Sequence, residues 1–571
     1  MGTTGDHERS SMRGRLRVSP TVVVGAAMLA TALVVDTGTF ARIFAHPARV
    51  AMLGGQIPEA TVRGAEYFRL ALGAGAILIP FLSWALARLC AREETRPARP
   101  MRPASRAEWQ WLCAAVAVGA LLRLVWATQS LWYDEISAFL SFAIEGPGVA
   151  FGSYAVPTNH VPMTIATWAA WSLSGGSLAE PVLRMPALVA GIAAIPVGWA
   201  LGATLYGRRG AVLAAWSVAL APIAVLESTE ARGYAFVILA ALVAALALAR
   251  AARTGRAGDY LLFALATAFG AWAHPVAILL PFSAGLIGLV RDRRLAVAAL
   301  LSGVLALVVL SPLVGDVLAT RGDYARTDAA QPTVFSREGY EALVGLTMSW
   351  SDAWVHWPNP ILLAATACGA VALVIARAGR FGRARRVLAP FAIAFVLAFA
   401  LSGLVGTWIY ARFVLYALPI SIVAVAALPS AVRARSRRRV LGAGLACVAL
   451  GSVTALASYR EKQPIRAAVE WVDAARAPDD RVATIGLPDN AVAFYTRQMG
   501  FDAVPTGFLG SRLAEVLARD NPRFVIALYP DRMDAATLAA LDAGHDRVER
   551  LEGWADWGAG AVEVWMRPQK R

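Results

Sequence analysis

Long apolar runs separated by short polar segments repeat along most of the chain, the hydropathy pattern of helices that cross a membrane. About thirteen runs qualify as candidate spans on that reading. They cover residues 20–44, 67–90, 109–128, 182–206, 211–227, 234–252, 260–273, 275–290, 295–318, 360–377, 387–405, 413–430 and 440–458. The first is interrupted by Asp36 and follows Arg13, Arg15 and Arg17, so it also has the outline of a signal peptide. No small-residue cleavage site follows it, and it reads as an uncleaved helix. Residues 161–175 are apolar but short for a span, and are expected to lie along the outer surface or dip into it.

Arginine sets the orientation. Arg9, Arg13, Arg15 and Arg17 precede the first run, and Arg92, Arg96, Arg99, Arg102 and Arg106 separate the second from the third. Basic segments recur at Arg208/Arg209, Arg250/Arg253/Arg256, Arg291/Arg293/Arg294, Arg377–Arg386 and Arg433–Arg439, while the intervening loops are poor in arginine. By the positive-inside rule this alternation predicts a cytoplasmic N-terminus and an extracytoplasmic C-terminal segment in a multi-pass cell-membrane protein.

Composition agrees. The chain is 58% hydrophobic and only 16% charged, against about 25% charged in soluble chains. That excludes an ordinary soluble enzyme, and the apolar content excludes a disordered protein. The net charge of +15 would suggest a nucleic-acid partner in a soluble protein. Here it is almost all arginine in alternate loops, so topology explains it and no nucleic acid is implied. Lys462 and Lys570 are the only lysines, a usage that points to a GC-rich bacterial genome. Cys90, Cys113, Cys368 and Cys447 are far apart and lack metal-ligand spacing, so they are expected to fill the core.

The expected architecture is an all-α polytopic bundle with a small C-terminal α/β extracytoplasmic domain. It divides into residues 1–106 (N-terminal segment, two extra helices and a basic linker), 107–458 (the membrane catalytic domain) and 459–571 (the α/β domain). Within the last, 464–477, 490–498 and 534–542 read as helices, and 482–486, 524–529 and 561–566 as strands. Residues 319–359, with Trp350, Trp354 and Trp357, are expected to include interfacial helices.

Candidate chemistry gathers in the outer loops. Trp132-Tyr133-Asp134-Glu135 places two adjacent carboxylates just past the third run. Neighbouring side chains diverge by about 100° on a helix, so the pair cannot share one task on one atom. Taken alone, the pair also suits a solvated loop or a helix cap. On the same side lie Asn159-His160-Val161-Pro162, Leu183-Arg184-Met185-Pro186, Glu230-Ala231-Arg232-Gly233-Tyr234, His274-Pro275 and Tyr410-Ala411-Arg412-Phe413. Each cation alone could be a membrane anchor. Two carboxylates and several cations at one depth suit a general base and an anionic, lipid-linked substrate.

This order of motifs resembles the GT-C fold glycosyltransferases of family 39, which include protein O-mannosyltransferases and the aminoarabinose transferase acting on lipid A, over residues 109–430. The resemblance implies a helical bundle that transfers a sugar, with inversion, from a polyprenyl-phosphate donor to a protein, lipid or glycan acceptor. It implies Asp134 as catalytic aspartate and Glu135 as its partner. His160, Arg184 and Arg232 are implied to lie at the donor phosphate or active site, and Tyr234, His274 and Arg412, in the same outer loops, are further candidates to bind the donor phosphate or the substrate. Val161 stands where the family's His-Pro-Pro motif has its first proline, and Met163-Thr164 where aromatics are common. Those departures bear on the acceptor side of the site.

The chemistry is consistent with that resemblance. A polyprenyl phosphate leaves as a stable anion that arginine can hold, so one carboxylate base suffices and no cofactor is required. A divalent metal is optional in such a scheme, and no acidic cluster calls for one. Two rival readings are a transporter or flippase of lipid-linked sugars, and a polymerase or ligase of surface polysaccharide. The first would be expected to show paired repeats with broken helices at the midplane, and the sequence shows no such pairing.

Overall fold

The computed structural model describes residues 19–91, 105–320, 335–348, 359–377, 379–405, 409–457, 459, 461–487, 491–555 and 560–568. Every predicted apolar run is helical over most of its described residues. Among the described residues, seven helices are long and apolar enough to cross a membrane, or up to ten if each of three bent pairs is one span. Three further apolar helices, Ala257–Ala273, Pro275–Arg291 and Pro360–Ile375, are shorter than 18 residues. The chain is thus a polytopic helical membrane protein, and by length and apolarity its described residues give seven to ten spans where about thirteen were expected. Of residues 319–359, Arg337–Leu346 is a helix. The three tryptophans expected there lie outside the described residues.

The bends have local causes. Asp36 caps Thr37–Phe44 by accepting the Thr39 N–H at 2.9 Å and the Thr39 hydroxyl at 2.8 Å, which ends Pro20–Val34 and turns the chain through 97°. A carboxylate inside an apolar run is most stable as a cap. Arg208–Leu220 and Pro222–Ser228 meet at 53°, because Pro222 has no N–H to give the Val218 carbonyl. Arg123, fully buried in helix Arg106–Trp126, supplies the missing donor. Its guanidinium reaches Ser228 Oγ (3.1 Å) and the carbonyls of Gly119 (2.9 Å), Ala219 (3.0 Å), Val218 (3.2 Å) and Ala224 (3.4 Å). All five of its N–H donors are thereby used. Gly191 makes room, since a Cβ there would lie 2.9 Å from Arg123 Nε.

Residues 461–568 carry a five-stranded sheet. Its strands are β1 (Val482–Gly486), β2 (Ala503–Phe508), β3 (Phe524–Leu528), β4 (Asp546–Leu551) and β5 (Val562–Met566). The order is β2-β1-β3-β5-β4, parallel across the first three and antiparallel through β5 and β4. Helices Ile465–Ala475, Ala491–Gln498 and Ala535–Asp542 were expected, and Asp534, read as the first residue of the last, is its cap. Strands β2 and β4 and helix Leu513–Asp520 were not, because β2 contains Pro505 and Gly507 and β4 is mostly charged. Strand β3 alternates between two cores: Phe524, Ile526 and Leu528 face one, Val525 and Ala527 the other.

The first of these cores has a second owner. Leu131, Trp132, Tyr133, Ile136 and Phe139 pack into it beside Val469, Phe494 and Ile526. The C-terminal domain is therefore seated on the carboxylate motif. Hydrogen bonds pin the seam: Leu131 N–H to Tyr495 Oη (2.7 Å), Tyr133 N–H to Gln463 Oε1 (2.9 Å) and Arg466 to Glu180 (2.7 Å).

One sequence expectation changes here. Only Cys90 is a buried filler; Cys113 and Cys368 are exposed and Cys447 half-buried. They sit on apolar helices whose outward faces the bundle leaves uncovered.

Candidate active site

Helix Tyr133–Ala138 points its two adjacent carboxylates apart. Glu135 turns inward and is buried. Its carboxylate meets Arg184 Nη2 at 2.6 Å and Nε at 2.8 Å, and accepts the N–H groups of Trp132 (3.2 Å) and Ala231 (2.5 Å). Arg184 gives its remaining donors to the carbonyls of Ala127 (3.1 Å), Gln129 (2.7 Å) and Ser130 (3.0 Å). Its five N–H groups are all used inside the protein, whereas the sequence reading put it at the donor phosphate. The pair acts as a rivet, holding the Asp134 helix, the outer end of helix Glu180–Tyr206 and the Ala231 loop together.

Asp134 turns the other way. Its side chain keeps 19% exposure and meets Arg232 Nη1 at 3.1 Å. Arg232 is otherwise buried, and its Nε has no hydrogen-bond partner. The guanidinium carbons of Arg232 and Arg412 both lie 5.8 Å from the Trp132 ring and 5.8 Å from the Tyr234 ring. Arg412 Nε donates to Tyr234 Oη at 3.0 Å, and its plane sits 4.4 Å over Tyr410. One accessible carboxylate thus meets Arg232, and Arg412 shares the Trp132 and Tyr234 rings with that arginine. Gly233 lets this loop close on its neighbour, since a Cβ there would stand 2.7 Å from the Ala273 carbonyl and 2.8 Å from His160 Nδ1.

His160 and His274 complete the wall, 5.5 Å apart and each against Tyr234, at 4.9 and 5.5 Å. His160 Nδ1 donates to the Ala273 carbonyl at 2.9 Å, which leaves Nε2 as the acceptor of a neutral ring. Burial, then the charges of Arg232 and His274, hold the His160 pKa well below its ordinary value. Burial and the charges of Arg232 and Arg412 push His274 down to about 3. Both rings are neutral at physiological pH.

The structure therefore brings Asp134, His160, Arg232, Tyr234, His274 and Arg412 into one cluster, with Glu135 and Arg184 behind it. Sequence reasoning missed Lys462. This residue comes from the C-terminal domain and is buried, its Nζ 2.6 Å from Glu230 and 4.2 Å from the Trp132 ring centroid. Its carbonyl accepts the N–H groups of Trp554 and Ala555, at 2.9 and 3.2 Å. The one available signal was its rarity, as one of two lysines in the chain. Tyr529 enters from the same domain, its phenol held well above its usual pKa by burial and by the nearby Asp134 carboxylate. Among the described residues, no three His, Cys, Asp or Glu side chains are grouped to hold a metal ion.

Residues 159–315 match the family model described as dolichyl-phosphate-mannose-protein mannosyltransferase, a segment that includes His160, Arg184, Arg232, Tyr234 and His274. The fold is similar to that of ArnT from Cupriavidus metallidurans in the apo state, with a TM-score of 0.53 and 15% identity over 80% of this chain and 98% of that one. It is equally similar to ArnT bound to undecaprenyl phosphate, with a TM-score of 0.52 and 16% identity over 81% and 98%. No curated protein matches the chain in sequence. With seven or more apolar helices, a sheet domain seated on the motif loops and this likeness in architecture, the chain is a polytopic membrane protein of the GT-C glycosyltransferase fold.

Proposed function

We propose that the chain is an inverting glycosyltransferase that moves a sugar from a polyprenyl-phosphate carrier to an acceptor hydroxyl on a protein, lipid or glycan. The observation that carries this reading is the placement of one accessible carboxylate, Asp134, against Arg232, with the Arg412 guanidinium on the same Trp132 ring. The donor class follows the neighbour solved with undecaprenyl phosphate and the family model that names a dolichyl-phosphate sugar.

In this reading Asp134 takes the proton of the attacking hydroxyl, and the arginines hold the departing phosphate through charge-assisted hydrogen bonds. The phosphate leaves as a stable anion, so the reaction needs no general acid. Displacement from the face opposite the phosphate inverts the anomeric centre. Glu135 and Arg184 hold the loop that aims Arg232. His160, neutral and with Nε2 as acceptor, can take a sugar hydroxyl. Lys462 ties the C-terminal domain to Glu230 at the edge of the cluster.

The arginine-rich loops support a cytoplasmic N-terminus, with the motif loops and C-terminal domain on the outer side. Reporter fusions after Ser458 and after Arg383 should then behave as extracytoplasmic and cytoplasmic, respectively. The opposite result at either site overturns the orientation.

Purified protein in liposomes, supplied with a panel of polyprenyl-phosphate sugars and a membrane-extract acceptor, should consume one donor and release free polyprenyl phosphate. The product should have the anomeric configuration opposite to the donor's. Failure to consume any donor, or retention of configuration, overturns the reading.

A further inference from the structure

A polar cavity lies at the end of the bundle away from the candidate active site. Helix Tyr234–Thr254 has Tyr234 in the candidate active site, and its 21 residues set Thr254 about 30 Å away, at 1.5 Å per residue. There a cavity of about 480 Å³ opens between five helices. Arg253, Arg291, Arg294 and Arg386 line it, and Leu248, Ile287, Leu295 and Val387 form its apolar part.

Asp292 is the acidic residue of this lining, and its carboxylate is committed. It accepts the Tyr260 hydroxyl at 2.6 Å, Arg294 Nε at 3.0 Å and the Arg294 N–H at 3.1 Å. Among the described residues, no carboxylate lies within ion-pair distance of Arg253, Arg291 or Arg386. Arg383 adds its charge within electrostatic range of Arg253 and Arg386. Loop topology accounts for arginines near this end of the bundle. It does not account for their convergence on one cavity, where like charges repel.

We infer that this cavity binds the phosphate headgroup of an anionic phospholipid, with the arginines around the phosphodiester and the apolar wall against the upper acyl chains. An anion offsets the repulsion, and the combination of basic rim and apolar lining fits an amphiphile rather than a free phosphate. The site is distinct from the donor site and does not rest on the proposed transfer reaction.

The test uses full-length protein in neutral detergent, titrated with phosphatidylglycerol or phosphatidylcholine. Thermal unfolding and native mass spectrometry of retained lipid are the readouts. Phosphatidylglycerol should raise the midpoint and stay bound, and phosphatidylcholine should do neither. Replacing Arg253, Arg291 and Arg386 together with Gln should weaken phosphatidylglycerol binding by roughly 100-fold, at about fivefold per arginine. The triple Lys replacement, which keeps the charge, should retain most of it. Should the Gln triple fail to fold, Arg386→Gln alone should weaken binding about fivefold. Equal response to the two lipids, or wild-type binding by the Gln variants, overturns the site. Equal protection by inorganic phosphate overturns the lipid assignment.

Discussion

Glu135 and Arg184 use each other up: their charged groups meet at 2.6 and 2.8 Å, and both side chains are almost wholly buried. The adjacent Asp134 faces the opposite way, toward Arg232 at 3.1 Å, and stays partly accessible. One helical step separates a structural carboxylate from an available one. That division governs the first two predictions.

Asp134→Asn keeps the size of the side chain and removes the base. Transfer by the purified variant should fall at least ~100-fold, the lower size of a general-base contribution, while its elution profile and melting point stay near wild type. Near wild-type transfer would remove Asp134 from the chemistry.

Arg184→Ala and Arg232→Ala should fail in different ways. The first leaves Glu135 buried without its partner, a loss of about 3–5 kcal/mol, and should show as a fall in melting point. Arg232→Ala should instead weaken the donor by roughly 10- to 150-fold, the worth of one charge-assisted hydrogen bond of about 1.5–3 kcal/mol. Lys at position 232 should rescue only in part, because it lacks the planar fork. Donor titration and thermal unfolding of the same preparations separate the two. An unchanged donor constant in Arg232→Ala contradicts its role at the phosphate.

His160 and His274 give the protein an acid limit. Their folded-state pKa values lie below the ordinary imidazole value, so below about pH 6.5 the unfolded chain binds more protons than the folded one. Stability is therefore complete above that pH and declines as pH falls, continuing toward pH 3 for His274. The slope is about 1.4 kcal/mol per pH unit for each histidine. His274→Gln should remove one histidine's share of this slope, read as the difference in unfolding midpoints between pH 7 and pH 4. An identical pH dependence in wild type and variant contradicts the assignment.

Arg123 and Pro222 should be coupled. Arg123→Leu leaves several buried carbonyls without donors, each worth about 1–3 kcal/mol, and should lower the melting point markedly. Pro222→Ala restores an N–H for the Val218 carbonyl and should recover part of that loss in the double variant. Strict additivity in a double-mutant cycle would show that the arginine does not serve the proline break.

Much of this molecule was legible along the chain, because hydropathy, proline placement and loop charge are local properties. The apolar runs became helices, and β1, β3 and β5 appeared where strand-forming residues cluster. The ordered short motifs marked the loops that meet in the site. What only the tertiary structure decided is the job of each side chain there. Arg184 and Arg232 look alike in sequence, each in a short motif at the end of an apolar run. One has every donor consumed by carbonyls and Glu135, and the other faces Asp134 with its Nε unbonded. Lys462 lies more than 300 residues from Trp132 in the chain, yet stands 4.2 Å from its ring. Saturation and burial of a polar group depend on which distant backbone folds against it, and no local pattern encodes that.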